Sequence, residues 1–243
     1  MKRIFTFFIL ILINGMFVYP QTEKIKPKLS FEDEILTHNI SITTDGSFLY
    51  TSNGGVASKG QINKYTLSGY FVESYPIDLD MRGLFYNPKD KHFYTNCYDR
   101  NIYKIVDLKT GKYELFKEKL YENEQAKLTL SPNGKFLYYF NNGILKVYKF
   151  PSCKLIKTIT GFDYGKESYN GSSAVAIGKK HIFTWNAEEK MIFVYNLKGE
   201  KLKTVYITDG DYGYSISYAK GLVFVSVDGN YEVGHWYGYQ IEE

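Results

Sequence analysis

One short pattern recurs along the chain: Tyr50-Thr-Ser-Asn53, Phe93-Tyr-Thr-Asn96, Tyr138-Tyr-Phe-Asn141 and Phe183-Thr-Trp-Asn186. A diverged fifth copy is Val225-Ser-Val-Asp228. The closing residues of successive copies are 43, 45, 45 and 42 residues apart. One four-stranded blade of a β-propeller takes about 40 to 45 residues. The spacing therefore predicts an all-β chain that folds as a five-bladed β-propeller.

The residue fourteen positions before each closing residue opens a strand pattern. These five positions are Asn39, Arg82, Lys127, Ser172 and Tyr214. A turn follows in every copy, and in two copies it contains Asp45-Gly46 and Asn133-Gly134, pairs that tolerate the positive φ of tight hairpins. The equal spacing predicts five inner hairpins of one length. The five opening residues then surround one mouth of the central channel, and we call that side of the propeller the top face.

Two further strands complete the pattern in four copies. The predicted third strands are 61–67, 102–108, 144–150, 191–197 and 237–241, and the predicted fourth strands are 70–77, 113–117, 154–159 and 201–207. The fifth copy ends before it can form a fourth strand. Residues 30–36 are expected to supply it, because ring closure leaves no unpaired seam between the first and last blades. A β-sandwich is the alternative, but it does not account for five copies in one register.

The first twenty residues differ from the rest of the chain. Residues 1–3 begin with a positive charge and Ile4–Leu12 is nearly all apolar, the order typical of a secretory signal. The apolar stretch is shorter than the roughly 18 residues of a membrane span. We therefore expect a signal peptide over residues 1–20 and a secreted or periplasmic protein. An uncleaved N-terminal anchor is the alternative, because Phe17 and Tyr19 are not the small residues of a cleavage site.

The composition of the chain agrees with one propeller domain over residues 21–243. The net charge is +4, and the 30 basic and 26 acidic residues are interspersed, so no basic block favours a nucleic-acid partner. The mature protein is expected to have no membrane span. Cys97 is predicted at a top-face strand end and Cys153 in a turn of the opposite face. These positions are too far apart for a disulfide, so we expect two free cysteines.

The third copy carries a likeness to a known family. Residues 130–141 read Leu-Ser-Pro-Asn-Gly-Lys-Phe-Leu-Tyr-Tyr-Phe-Asn, which resembles the YVTN/WD40-like repeats of bacterial propeller proteins. Residues 147–150 and 154–159 fit the outer strands of that repeat. The other copies match less well, since 87–90 lacks the turn glycine and Asp228 replaces the closing asparagine. The resemblance implies a propeller fold and an exported, bacterial setting, and no single activity, because this fold serves lactonases, quinoproteins, scaffolds and ligand binders.

The five opening residues are the first candidate ligand-binding residues. Together Asn39, Arg82, Lys127, Ser172 and Tyr214 form a polar and mildly basic ring, which suits an anionic or sugar-like ligand. The alternative is that a hydrated channel mouth accepts any polar residue. The sequence does not decide between these two interpretations.

Loop length indicates a second group of candidates on the top face, because irregular loops on a regular scaffold tend to carry function. The longest loops between second and third strands are 54–60 and 229–236, which ring closure makes neighbours. The longest connection between copies, 162–171, lies on the same face. The candidate ligand-binding residues of these loops are Tyr169, Tyr231, His235 and Trp236. Ordinary variation in loop length is the alternative.

Signatures of catalysis are missing from the sequence. The four histidines occupy unmatched positions in four copies, and no Gly-x-Ser-x-Gly elbow or phosphate-binding loop occurs. We expect no catalytic residues, no metal site and no cofactor. The sequence thus predicts a non-catalytic exported binding or scaffold module for a protein or small polar ligand on the top face. The alternative is a propeller hydrolase or lyase that uses polar residues at the channel mouth.

Overall fold

The computed structural model describes residues 24–34, 37–165 and 171–241. Within these ranges the strands form five antiparallel sheets of four strands each, which are the blades of a propeller. The predicted five-bladed β-propeller is therefore confirmed. No helix in these ranges has the length and hydropathy to cross a bilayer. The predicted signal peptide lies outside the described residues.

Blades 1 to 4 each use four consecutive strands, in order from the channel outwards. Blade 1 contains β2 (His38–Thr44), β3 (Leu49–Gly54), β4 (Gln61–Tyr65) and β5 (Phe71–Pro76), and a short 3-10 helix, Ala57–Lys59, precedes β4. Blade 2 contains β6 (Met81–Asn87), β7 (His92–Cys97), β8 (Ile102–Asp107) and β9 (Lys112–Lys117). Blade 3 contains β10 (Leu128–Leu130), β11 (Phe136–Asn141), β12 (Ile144–Lys149) and β13 (Lys154–Thr160). Blade 4 contains β14 (Ala176–Ile177), β15 (His181–Asn186), β16 (Met191–Asn196) and β17 (Lys201–Tyr206).

Blade 5 joins the two ends of the chain. Its inner strands are β18 (Ser217–Ala219), β19 (Leu222–Val227) and β20 (Val233–Tyr239), and its outermost strand is β1 (Leu29–Glu34). The strand β1 pairs antiparallel with β20 from Leu29 opposite Gly238 to Glu34 opposite Val233. The predicted closure by an N-terminal strand is therefore confirmed.

The third strand of blade 5 begins four residues earlier than predicted. The expected strand was 237–241, whereas β20 already starts at Val233. Gly234, Trp236 and Gly238 are buried, and the residues between them are more exposed, which is the alternation of a strand. Glycine is depleted in strands, so the sequence pattern resembled a loop at this place.

The repeated closing residue links neighbouring blades in two of the copies. Asn96 at the end of β7 donates to Ala126 O at 2.8 Å and accepts from Leu128 N at 3.0 Å, at the entrance to blade 3. Asp228 accepts from Asn39 N at 3.0 Å, at the entrance to blade 1. In these two copies the closing side chain thus sets the position of the next inner strand.

Ring closure between blades 5 and 1 rests on an apolar cluster and one buried carboxylate. The cluster contains Phe31 of β1, Tyr65 of β4 and Trp236 of β20. The carboxylate of Asp33 is 0% exposed. It accepts from Tyr65 OH at 2.5 Å, from Asn63 Nδ2 and Trp236 Nε1 at 2.8 Å, and from Asn39 Nδ2 at 3.3 Å. One acceptor group therefore ties the N-terminal strand to both of the blades that it joins.

Replacing Asp33 with asparagine is expected to weaken ring closure. In D33N an NH2 group replaces one of the two carboxylate oxygens, so it would face donors that are now bonded to that oxygen. A buried donor left without a partner costs about 1 to 3 kcal/mol. We expect the free energy of unfolding to fall by about 2 to 4 kcal/mol. Urea denaturation followed by tryptophan fluorescence measures this loss.

The control is Glu32→Gln on the same strand, where the side chain is exposed and the change of charge is identical. A surface substitution of this kind is expected to change stability by less than about 0.5 kcal/mol. Equal stability of D33N and E32Q would contradict the role assigned to Asp33.

Candidate functional site

The top end of the central channel is closed by the side chain of Lys127. Its backbone lies just before β10 of blade 3, and its ammonium group reaches blades 1 and 5. Nζ donates to Ile40 O at 3.1 Å, Ser215 O at 3.2 Å, Ile216 O at 2.8 Å and Ser217 Oγ at 2.6 Å. The residue is only 2% exposed, so four oxygens replace its water shell.

Lys127 also contacts the two remaining blades. Its backbone N–H donates to Ser173 O at 2.9 Å, in the segment that leads into blade 4. Its aliphatic stem passes Gly83 on β6 of blade 2, where a Cβ atom would lie 3.2 Å from Lys127 Cγ and 2.5 Å from Asn96 Oδ1. A glycine at this place therefore leaves room for the Asn96 side chain and the Leu128 carbonyl as well as for the stem. One residue thus contacts all five blades.

The charge of Lys127 is held by neutral groups, because no carboxylate among the described residues is paired with it. Burial lowers the pKa of Lys127 well below its ordinary value, because the charged form loses hydration. The surrounding oxygens oppose this effect, since the three donors of an ammonium satisfy more acceptors than the two donors of a neutral amine. Lys127 thus closes the end of the channel with no carboxylate paired to it in the described part of the chain.

A cavity of about 420 Å³ occupies the channel on the other side of Lys127. The inner strands of all five blades line it, and its rim is formed by the turns between the first and second strands. It therefore opens on the face opposite the predicted site, which we call the bottom face. Its lining includes the polar residues Ser41, Thr43, Thr129 and Ser217 and the apolar or aromatic residues Ile42, Leu84, Tyr86, Ile177 and Tyr218.

Two more lysines and one aspartate stand at the rim of this cavity. Lys179 and Lys220 belong to the inner turns of blades 4 and 5, and Lys220 Nζ donates across the mouth to Gly46 O of blade 1 at 3.2 Å. The carboxylate of Asp45 accepts from Ser47 N, Phe48 N and Tyr50 OH, at 2.7, 2.8 and 2.9 Å. Its hydrogen-bonding capacity is thus largely used within its own turn.

The five opening residues lie at the entrances to the inner strands of their blades, and all of them are buried. Their exposed fractions are 0% for Asn39, 9% for Arg82, 2% for Lys127, 4% for Ser172 and 6% for Tyr214. Asn39 accepts from Gly229 N, and the carbonyl of Ser172 accepts from Asn142 N. The Tyr214 ring packs edge-on against Tyr212 at 5.6 Å between centroids. The five side chains therefore do not line an open mouth, and the Asn39 amide is directed to Asp33 at the seam between blades.

Arg82 is the member of the ring with unused hydrogen-bonding capacity. Its Nη2 donates to Asp80 Oδ2 at 3.1 Å, and its guanidinium lies 5.0 Å from the ring centre of Tyr98, which is 46% exposed. Its Nε is buried without a hydrogen-bond partner among the described residues. Arg82 thus offers one donor beneath the top face.

A histidine–aspartate pair, His38 and Asp228, also lies on the top face. It was not among the residues predicted from the sequence. His38 Nδ1 is 2.6 Å from Asp228 Oδ2. The His38 ring stacks on Tyr212 at 5.8 Å and meets the edge of Tyr231 at 5.6 Å. Tyr231 is 51% exposed, and Lys59 Nζ lies 5.4 Å from its ring centre. The signal in the sequence was Asp228 itself, the one closing residue that is not an asparagine.

The four loop candidates occupy different environments. Trp236 lies on β20 and is 0% exposed, so it offers no stacking surface. His235 lies on the same strand, is partly buried and stacks on Tyr237 at 5.6 Å. Tyr169 lies outside the described residues. The structure thus leaves Tyr231 as the exposed aromatic residue of this group.

The remaining sequence predictions concern cysteines and metals. Cys97 and Cys153 are both free and buried, as predicted. Burial raises the pKa of both thiols. Within the described ranges, no three His, Cys, Asp or Glu side chains come together as a metal-binding group.

Comparisons with known proteins place the fold but not the family. No protein-family model matches the chain, and no curated protein matches it. Among solved structures, the glutaminyl cyclase of Myxococcus xanthus is similar, with a TM-score of 0.61 and 10% identity over 89% of this chain and 97% of that chain. At this identity the likeness supports the propeller fold alone.

Two structures of AztD from Citrobacter koseri are more distantly similar. Their TM-scores are 0.39 and 0.40, with 12% and 13% identity over 73% and 72% of this chain. The present chain spans 48% of the length of each.

Replacing Lys127 with methionine is expected to destabilise the propeller. Methionine keeps the stem but leaves the carbonyls of Ile40 and Ile216 without this donor, and an unsatisfied buried acceptor costs about 1 to 3 kcal/mol. Removal of the buried charge offsets part of that cost. We expect K127M to lose about 1 to 3 kcal/mol near neutral pH, whereas Lys154→Met on the exposed outer strand β13 loses less than about 0.5 kcal/mol. Urea denaturation measures both.

The same pair of proteins tests the protonation of Lys127. Because its pKa is lower in the folded state than its unfolded value of about 10.4, the unfolded chain binds more protons between the two values. The stability of the wild type should therefore rise with pH relative to K127M in that window. The buried tyrosines, whose pKa values are raised, act in the opposite direction but contribute to both proteins. A difference that does not grow as the pH approaches about 10 would contradict the lowered pKa.

Proposed function

We propose that the protein is a non-catalytic binding module that takes a small polar molecule in the cavity of the bottom face. The observation that carries this proposal is the cavity of about 420 Å³ on the channel axis, closed at one end by Lys127. Small-molecule sites typically enclose about 300 to 1,000 Å³ and combine apolar walls with a few converging polar groups. This cavity has both features.

The walls of the cavity are rigid, which favours binding. They consist of inner strands that pair within a blade and pack against the next blade. Thr129 illustrates this, because Leu128 and Leu130 on either side of it are buried in the core between blades while its own side chain lines the cavity. A preformed site loses little conformational entropy when it binds a ligand.

The top face is the second candidate, and two observations favour it. Arg82 has a buried donor with no partner in the described part of the chain, and Tyr231 exposes half of its surface beside the longest loops. A protein or sugar-like ligand could use both groups. The catalytic alternative would use His38 as a base oriented by Asp228. Likeness of fold to a glutaminyl cyclase does not decide between binding and catalysis.

A ligand screen with two blocked variants tests the proposal. The wild type, Thr129→Trp and Tyr231→Ala are screened by thermal shift and ligand-observed NMR against monosaccharides, dicarboxylates, sugar phosphates, aromatic acids and their amides. We expect compounds that bind the wild type and Y231A but not T129W, because the indole would occupy the cavity. Thr158→Trp, on an exposed outer strand, is the matched control and should bind like the wild type.

The pattern of losses decides between the two faces. Binding that survives T129W but is lost in Y231A would overturn the cavity proposal in favour of the top face. Failure of the wild type to bind any compound of the panel would also count against it. Thr129→Phe replaces T129W if circular dichroism shows that the larger side chain prevents folding.

We also propose that the protein is exported. The basic start and the apolar residues Ile4–Leu12 support this, as does the likeness of residues 130–141 to exported YVTN/WD40-like repeats. N-terminal sequencing of the protein from its own cells should find a start near Gln21. A protein that keeps Met1 and fractionates with membranes would support the uncleaved anchor instead.

A further inference from the structure

The ligand class follows from the charges that border the cavity of the bottom face. Three lysines line it in the described part of the chain, at the closed end and on the rim: Lys127, Lys179 and Lys220. The carboxylate in the same lining belongs to Asp45, which accepts three hydrogen bonds within its own turn. The two exposed rim lysines outnumber this one carboxylate, so the rim carries a net positive charge.

The geometry separates the roles of the three lysines. Lys127 already donates to four oxygens, so it offers no free donor to a ligand. Lys220 is exposed and donates to a single carbonyl, Gly46 O, at 3.2 Å. Lys179 is exposed on the neighbouring blade. The two rim ammonium groups are therefore free to turn towards a ligand, and they attract an anion more strongly in a partly desolvated space than in bulk water.

The walls between the closed end and the rim combine polar side chains, such as Thr43 and Thr129, with two partly exposed tyrosines. Tyr86 and Tyr218 stand on the inner strands of blades 2 and 5, and their rings are held by contacts with Phe93 and Phe183. Ile42, Leu84 and Ile177 also belong to the lining, but each is at most 3% exposed. A ligand with a flat or aromatic body as well as a charge can therefore pack against Tyr86 and Tyr218.

We propose that the cavity binds a small organic anion with a flat or aromatic body, whose anionic group meets Lys179 and Lys220 at the rim. This inference rests on the proposed binding function and names its ligand class. A carboxylate and a sulfonate share the required chemistry. Inorganic phosphate lacks the apolar body and should bind more weakly.

The test compares acids with their uncharged amides. Isothermal titration calorimetry and ligand-observed NMR measure phenylacetate against phenylacetamide and indole-3-acetate against indole-3-acetamide, with benzenesulfonate and inorganic phosphate as further probes. We expect the acids to bind the wild type about tenfold more tightly than the amides, with a preference that decreases as salt screens the charges. In the double variant Lys179→Met/Lys220→Met this preference should fall at least fivefold.

The matched control is Lys112→Met/Lys117→Met, which removes two exposed lysines from the outer strand β9 and has the same net charge. It should keep the preference for acids, which separates contact at the rim from the overall charge of the protein. Equal binding of acid and amide, both abolished by T129W, would overturn the anion inference and leave the cavity as a binding site. If the wider screen finds that only neutral compounds bind, the anion inference is likewise overturned and the cavity remains a binding site. Acid binding that survives T129W would contradict both proposals.

Discussion

The ammonium group of Lys127 lies among four oxygens of blades 1 and 5, although its own strand belongs to blade 3. A charge at this depth must replace its lost hydration with close acceptors, so the backbone segments that supply them are held at fixed distances from the axis. Gly83 gives the stem its path, and Ser173 receives its backbone N–H. The relative positions of all five blades near the top of the channel therefore depend on this side chain.

Asp33 plays the corresponding part at the outer seam. Its carboxylate is completely buried. It accepts hydrogen bonds from one tyrosine, one tryptophan and two asparagines, which are Tyr65, Trp236, Asn39 and Asn63. Neither Asp33 nor Lys127 relies on an opposite charge, and each is satisfied by neutral groups of neighbouring blades. Lys127 on the axis and Asp33 at the closure thus restrain the ring at two radii, and neither arrangement depends on an ion pair that salt would screen.

The two faces of the propeller differ because their side chains have different partners. On the top face the long loop 54–60 is held by the Asn53 amide, which donates to Lys59 O and accepts from Gln61 N. His38 is held by Asp228, and Arg82 by Asp80. Most polar groups there stabilise one another. The bottom face has short inner turns, so the channel stays open between Lys127 and the rim lysines. Loop length was therefore a poor guide to the accessible cavity.

The sequence by itself determined the number of blades, the inner hairpins and the closure by the N-terminal strand, because strand alternation, turn residues and copy spacing are local properties of the chain. It also identified Lys127 and Tyr231 among the candidate residues. Only the tertiary structure decided that Trp236 is buried, that His38 meets Asp228 across 190 positions, and that the cavity lies below Lys127. These facts depend on which side chains of distant blades meet at the axis. Their physical reason is that a buried cation takes its acceptors from whichever backbone segments surround it in space, and a repeat pattern does not encode that arrangement.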